Sequence, residues 1–148
     1  MRPVRALVQR VREASVTVGG DVVGRIGPGV VALVGVTHDD TETLAVKLAD
    51  KIWNLRIFDD ADGVMNRSAA DDGLEVLVVS QFTLYGDTRR GRRPGYSDAA
   101  RPEFAEPLVE VVVDALRASG AVVETGRFRT EMAVALVNDG PVTLLIEV

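Results

Sequence analysis

The chain has 148 residues, 47% of them hydrophobic, with a formal net charge of −5 and no cysteine. That length and apolar content suit one domain with a real core, and the acidic balance argues against a general nucleic-acid coat protein. Without cysteine there is no disulfide scaffold, no thiol nucleophile and no thiolate zinc site.

No stretch reaches the ~20 apolar residues of a membrane span. Residues 1–6 have no apolar core followed by a small-residue cleavage site, so they do not read as a secretory signal. A soluble cytoplasmic protein is expected. Residues 4–36 then read as a β-meander. Gly19-Gly20 is the two-glycine loop of a tight hairpin, and Gly27-Pro28-Gly29 is a second turn before the apolar strand 30–36. The alternation of the first strand breaks near Arg12-Glu13, which predicts a bend or bulge.

His38-Asp39-Asp40-Thr41 opens a helix, with Asp40 or Thr41 as cap and the acids at its positive end. Leu44, Leu48 and Ile52, flanked by Ala45, Ala49 and Trp53, form one apolar stripe. His38, the only histidine, is a metal or general-base candidate with Asp39 and Asp40, but a loop leading into the helix explains the trio better. Asp59-Asp60-Ala61-Asp62-Gly63 fails as a calcium loop. Phe58 stands where its first aspartate belongs and Ala69 where its glutamate belongs, so a polar turn is expected.

Residues 74–87 read as the central strand. Val76, Val78, Ser80, Phe82 and Leu84 point one way, and Leu77, Val79, Gln81, Thr83 and Tyr85 the other. Its first half is apolar on both faces, as in a strand covered on both sides. Ser80, Gln81 and Thr83 are either a satisfied polar network or the wall of a site. The loop 86–97 carries Arg89, Arg90, Arg92 and Arg93, a solvated run or a phosphate contact. A second helix is expected over 102–119, stopped by Gly120, with Pro107 in or near its first turn. Phe104, Leu108, Val111, Val112, Ala115 and Leu116 would be its buried face. A short strand at 121–124 and two strands at 132–137 and 142–148, joined by Asn138-Asp139-Gly140-Pro141, complete the chain. The fold class is α/β: one domain over residues 1–148, a largely antiparallel sheet and two main helices.

Ser80-Gln81-Phe82-Thr83-Leu84 and Asn138-Asp139-Gly140-Pro141-Val142-Thr143 together resemble the two signature motifs of the D-aminoacyl-tRNA deacylase (D-tyrosyl-tRNA deacylase) family. Gln9-Arg10-Val11, Ala14-Ser15-Val16-Thr17-Val18, Arg56-Ile57-Phe58 and Thr125-Gly126-Arg127-Phe128 are similar to the family at the corresponding places. The resemblance spans essentially the whole chain. It implies a barrel-like sheet and a homodimer with active sites at the subunit interface. Ser80, Gln81, Phe82 and Thr83 would form the catalytic wall of a pocket for the 3′-terminal adenosine and its amino acid. Gly140 and Pro141, with Asn138, Val142 and Thr143 around them, would reach into the partner's pocket and hold the substrate α-carbon. X-Pro bonds are cis in only about 5–6% of cases in folded proteins, yet the family implies a cis bond between Gly140 and Pro141. Arg10 would hold that turn, or serve an interior salt bridge or the surface. Met132 is a core residue or a pocket-lining one.

The implied reaction is hydrolysis of the ester of D-aminoacyl-tRNA, with glycyl-tRNA, including glycine mischarged on tRNA-Ala, also accepted. No cofactor or metal is expected. A Ser-His-Asp arrangement would need His38, which lies far along the chain from both motifs. Gly95-Tyr96-Ser97-Asp98-Ala99 lacks the final glycine of a nucleophile elbow. Thr83 is the obvious hydroxyl without an evident base. The favoured mechanism is attack by a positioned water, with backbone N–H groups near Phe82 and Thr83 stabilising the oxyanion and the adenosine 2′-hydroxyl assisting. The rivals are a tRNA-binding editing module without turnover, a structural oligomer, and a general esterase.

Overall fold

The computed structural model of the chain describes residues 3–148. Strand β1 (Arg5–Val18) turns through Gly19 and Gly20, both at positive φ (+55° and +88°), into β2 (Asp21–Ile26). Strand β3 (Gly29–Gly35) follows, but not by a reversal. Ala14 lies opposite Ile26 and Val11 opposite Gly29, so β2 and β3 run in the same direction along the same edge of β1. The expected turn at Gly27-Pro28-Gly29 is therefore a jog within one long ribbon, and the meander is a single bent hairpin. The jog faces Arg12-Glu13, where the alternation of β1 breaks. Gly29 is required there, because a Cβ would stand 2.0 Å from the carbonyl oxygen of Glu75.

Helix α1 (Glu42–Asn54) is capped by Thr41, whose Oγ1 accepts the N–H of Leu44 at 3.2 Å. Asp40 is not the cap. A small hairpin, β4 (Phe58–Asp59) with β5 (Met65–Arg67), follows. Its turn is polar as expected: the Asp60 carboxylate accepts from the Asn66 side chain and from the N–H groups of Val64 and Asp62, and is held below the usual carboxylate range, the Asn66 bond contributing most. An additional short helix, α2 (Ala69–Asp72), is built on a capping box between Ser68 and Asp71.

Strand β6 (Glu75–Ser80) is parallel to β3 on one side and to β7 (Val123–Thr125) on the other. Parallel neighbours require crossovers, which α1 and α3 (Pro102–Ala118) supply. As expected, β6 is buried on both faces. Val76 and Val78 join the core beneath α1 and α3, while Leu77 and Val79 meet Val11, Val16, Ile26 and Val31 on the other side. Beyond the β2–β3 ribbon on one edge of β1, β6 pairs β3 and β7 pairs β6, and β7 comes back near β2: a Cβ on Gly24 would lie 2.5 Å from the Thr125 carbonyl oxygen. The sheet is thus barrel-like, antiparallel around β1 and parallel around β6.

The extended reading of the central stretch stops at Ser80. Residues Phe82–Tyr85 form a 3₁₀ turn, so alternation ends there, with Tyr85 fully buried and Phe82 55% exposed. Helix α3 buries Ala105, Leu108, Val109, Val112, Val113 and Leu116. Its face is rotated from the expected one: Phe104 is exposed, and Val111 and Ala115 are half-buried. Pro107 lies inside the helix, beyond its first turn. The valine run is helical because burial outweighs weak intrinsic propensity.

The end of the chain is one strand, β8 (Ala133–Glu147), paired along the free edge of β1 from Thr17↔Ala133 to Arg5↔Glu147. The expected hairpin at residues 138–141 is a bulge. Val11 lies opposite Asn138 and Gln9 opposite Thr143, which leaves residues 139–142 looped out of the ladder.

Candidate active site

The C-terminal end of β6 delivers Ser80 to the rim of a cleft of about 810 Å³, with Gln81 and Phe82 on the same wall. The Gln81 N–H is fixed by the Val34 carbonyl at 2.8 Å, and its side-chain amide donates to Thr83 Oγ1. Thr83 thus sits on the outer side of the turn, tied to the wall and not lining it. Leu84 and Gly86 donate back to the carbonyls of Gln81 and Thr83 at 3.2 and 2.9 Å, closing the turn. The N–H groups of Phe82 and Thr83 begin it and have no acceptor among the described residues. Opening a helical turn, they are free to meet negative charge.

The opposite walls come from two distant segments. Tyr96, Ala99, Ala100 and Arg101 lead into α3, and residues 128–132 bring in Phe128, Arg129 and Met132. Phe82 meets Tyr96 edge-on, ring centroids 5.2 Å apart at 67°. Met132 serves both of its expected roles, lining the cleft and packing against the barrel interior. Thr37 holds the 96–101 wall. Its Oγ1 donates to the Asp98 carbonyl, its backbone bridges to Ala99, and the Ala100 N–H reaches the Val36 carbonyl at 2.9 Å. Thr37 is in turn fixed by Asp40, whose carboxylate accepts the N–H groups of Thr37 and Val4, both at 2.7 Å. Burial pushes the Asp40 carboxyl above the usual range, opposed by those two hydrogen bonds. His38 donates from Nε2 to the Ser97 carbonyl at 2.6 Å, so it ties the same loop down. Neither Tyr96, Arg101 and Phe128 nor the Asp40–Thr37 support was legible as part of a site. The one available signal was the similarity at residues 125–128.

The second motif forms a separate, tightly held bulge. Asn138 Oδ1 accepts the Val142 N–H at 3.1 Å, and its amide donates to Thr143 Oγ1 at 2.9 Å, which also accepts from Gln9 at 3.2 Å. The Arg10 side chain, 12% exposed, donates from Nε to the Asp139 carbonyl at 3.0 Å and from Nη1 to the Ile57 carbonyl at 2.7 Å. Gly140 has φ +126° and its bond to Pro141 is cis; a Cβ there would stand 2.8 Å from Arg10 Nη2. None of residues 138–143 lines the cleft of their own chain. The bulge lies three strands from Ser80, on the outermost strand.

The arginine run also lies off the cleft lining. Arg89 is engaged by Asp87, from Nε at 2.9 Å and Nη2 at 2.8 Å, while Arg90, Arg92 and Arg93 are exposed.

A family profile described as D-Tyr-tRNA(Tyr) deacylase matches residues 7–147. The chain belongs to that family. It is 62% identical over 144 residues to the D-aminoacyl-tRNA deacylase of Symbiobacterium thermophilum, covering 97% of this chain and 95% of that one. It is 58% identical over 144 residues to the enzyme of the same name from Thermus aquaticus, with the same coverage. Among solved structures, one named c-Myc DNA Unwinding Element Binding Protein superposes with a TM-score of 0.92 at 38% identity, over 97% of this chain and 98% of the other. A probable eukaryotic D-amino acid tRNA deacylase superposes at 0.84 with 16% identity, over 98% and 99%, and there the likeness concerns the fold alone. Family membership makes the chain an enzyme, a hydrolase of the aminoacyl-tRNA ester class.

Proposed function

We propose that this deacylase proofreads chirality in the cytoplasm as a homodimer, hydrolysing the ester between a D-amino acid and the 3′-terminal adenosine of tRNA, and that it accepts glycyl-tRNA, including tRNA-Ala mischarged with glycine. The observation that carries this reading is the pair of unpartnered N–H groups of Phe82 and Thr83, opening a turn at the rim of a cleft wide enough for a nucleoside. Backbone donors at adjacent residues are suited to a tetrahedral oxyanion. Water is the attacking group and the adenosine 2′-hydroxyl assists it. Thr83 positions the wall: its hydroxyl is already engaged by Gln81.

Chirality is assigned to the Gly140-Pro141 bulge of the partner subunit. Backbone carbonyls on a turn braced by Arg10 and Asn138 accept from the α-ammonium and crowd the side-chain position of an L-residue. A D side chain points to solvent, so its identity matters little, and glycine has nothing to exclude. A second copy is needed because the bulge does not reach its own cleft. The outer strand that carries it exposes Val134, Val137, Leu144 and Leu145, apolar surface suited to burial between subunits. Exposed Arg90, Arg92 and Arg93 are placed against tRNA phosphates, with Arg89 contributing less because Asp87 occupies it.

The test is deacylation of matched D- and L-tyrosyl-tRNA at enzyme well below substrate, with a chelator present. Loss of the D-ester with the L-ester spared is expected. Loss of neither would leave a tRNA-binding role without turnover, and loss of both would refute the role given to the bulge.

A further inference from the structure

An adenosine seated in the cleft remains joined to the rest of the tRNA through its 5′ phosphate, which must leave by the mouth. The cleft lining includes two exposed arginines from segments far apart in sequence. Arg101 precedes α3, is exposed, and its side chain has no ion-pair or hydrogen-bond partner among the described residues. Arg129, held at φ +60°, comes from the 128–132 segment of the lining. Its side chain is 61% exposed and has one weak contact, 3.9 Å from Glu103, itself 71% exposed. Glu131 also lines the cleft and disfavours an anion on its own side. In a chain of net charge −5, two underused guanidiniums lining one cleft are matched to a phosphodiester, which each can bind in a forked geometry.

We propose that Arg101 and Arg129 clamp the phosphodiester linking the terminal adenosine to the nucleotide before it. This rests on the proposed function, since it presumes the adenosine in this cleft. The clamp makes the two arginines substrate-positioning residues: they fix the strand so that the ester falls at the N–H groups of Phe82 and Thr83. Arg129 exchanges its loose contact with Glu103 for the phosphate, and Arg101 gains a partner.

The test compares two substrates of the purified dimer, D-tyrosyl-tRNA and the 3′-O-D-tyrosyl ester of adenosine, which lacks the phosphodiester. For Arg101→Gln and Arg129→Gln, the loss of kcat/KM on the tRNA ester should exceed that on the adenosine ester by roughly tenfold, the scale of one charge-assisted hydrogen bond, and should appear in KM. The slope of log kcat/KM against log salt should flatten by about 0.7 for each arginine removed. Lys47→Gln, an exposed charge on α1 away from the cleft, should leave that slope in place. Equal losses on both substrates would overturn the clamp, because the arginines would then only shape the cleft, and so would an unaltered salt slope. Wild-type protein that cleaves neither ester would sink the proposed function instead. The clamp would then be judged on binding of uncharged tRNA, where an unchanged salt slope in the same variants overturns it.

Discussion

Replacing Asp40 by Asn tests how the cleft is supported. The side chain keeps its shape, and one of its oxygens becomes an NH₂ group. Asp40 is 5% exposed and accepts two backbone N–H groups, from Val4 and Thr37, each at 2.7 Å. Asn can accept only one of them and sets a donor against the other. An unsatisfied buried donor costs about 1–3 kcal/mol, and removing a desolvated charge offsets part of that. A net loss of about 2 kcal/mol lowers the Tm of a domain this size by about 4–8 °C. Calorimetry at fixed protein concentration measures it. The effect should also reach catalysis, because Thr37 carries the Asp98–Ala100 wall, so KM for D-tyrosyl-tRNA should rise more than kcat falls. The pH dependence has a definite sign. Burial raises the folded-state pKa of Asp40 above its ordinary 3.8, so its titration contributes stability that is full below that value and is lost as pH rises through the raised one. Wild type should therefore lose stability relative to Asp40→Asn as pH climbs through the acid range. A Tm within about 1 °C of wild type, with KM unaltered, would refute the reasoning.

Three other changes probe separate parts of the fold. Gly29→Ala puts a methyl group 2.0 Å from the Glu75 carbonyl oxygen, backbone against backbone, where β3 meets β6; it should destabilise by about 3 kcal/mol or more, and a wild-type urea midpoint would count against the register. Tyr85, buried, with its hydroxyl donating to the Pro3 carbonyl, has its phenol pushed up to about 12, chiefly by burial and next by the charge of Asp40. Ultraviolet titration should show one tyrosine ionising there, and its contribution to stability should hold below pH 10 and fade as pH rises through about 12. Arg10→Lys cannot keep both the Asp139 and Ile57 carbonyls, since a point charge replaces a planar fork. Under the proposed chirality mechanism the ratio of D- to L-ester cleavage should fall roughly tenfold, and an unchanged ratio would remove Arg10 from that mechanism.

The features legible in the sequence are those decided locally. The apolar run of β6, the Gly19-Gly20 hairpin and the cap of α1 depend on residues within a few positions of one another; the first two appear where the pattern puts them, and of the two candidate caps the structure takes Thr41 over Asp40. The misread features were settled by distant strands. Gly27-Pro28-Gly29 carries the chemistry of a turn, but the pairing of Val11 with Gly29 keeps β3 on the line of β2. Asn138-Asp139-Gly140-Pro141 carries the chemistry of a hairpin, but β1 is long enough to pair on both sides of it, so the same residues become a bulge. The alternation after Ser80 continues on paper, whereas the chain must turn to let Tyr85 into the core beside Arg5, whose guanidinium stands 4.4 Å over its ring.

The same division runs through the site. Each motif is a local object, and each is found intact as one: a turn that opens two N–H groups, and a bulge braced by Arg10 and Asn138. What would join them is not local: β8 carries the bulge on the outer edge of the sheet while the cleft opens at the end of β6. Under the proposed mechanism, a catalyst that uses both is assembled from two copies. Its activity should fall with dilution along the same curve as its dimer content, measured by sedimentation. Activity that survives in the monomer would mean that the Gly140-Pro141 bulge does not act on the substrate.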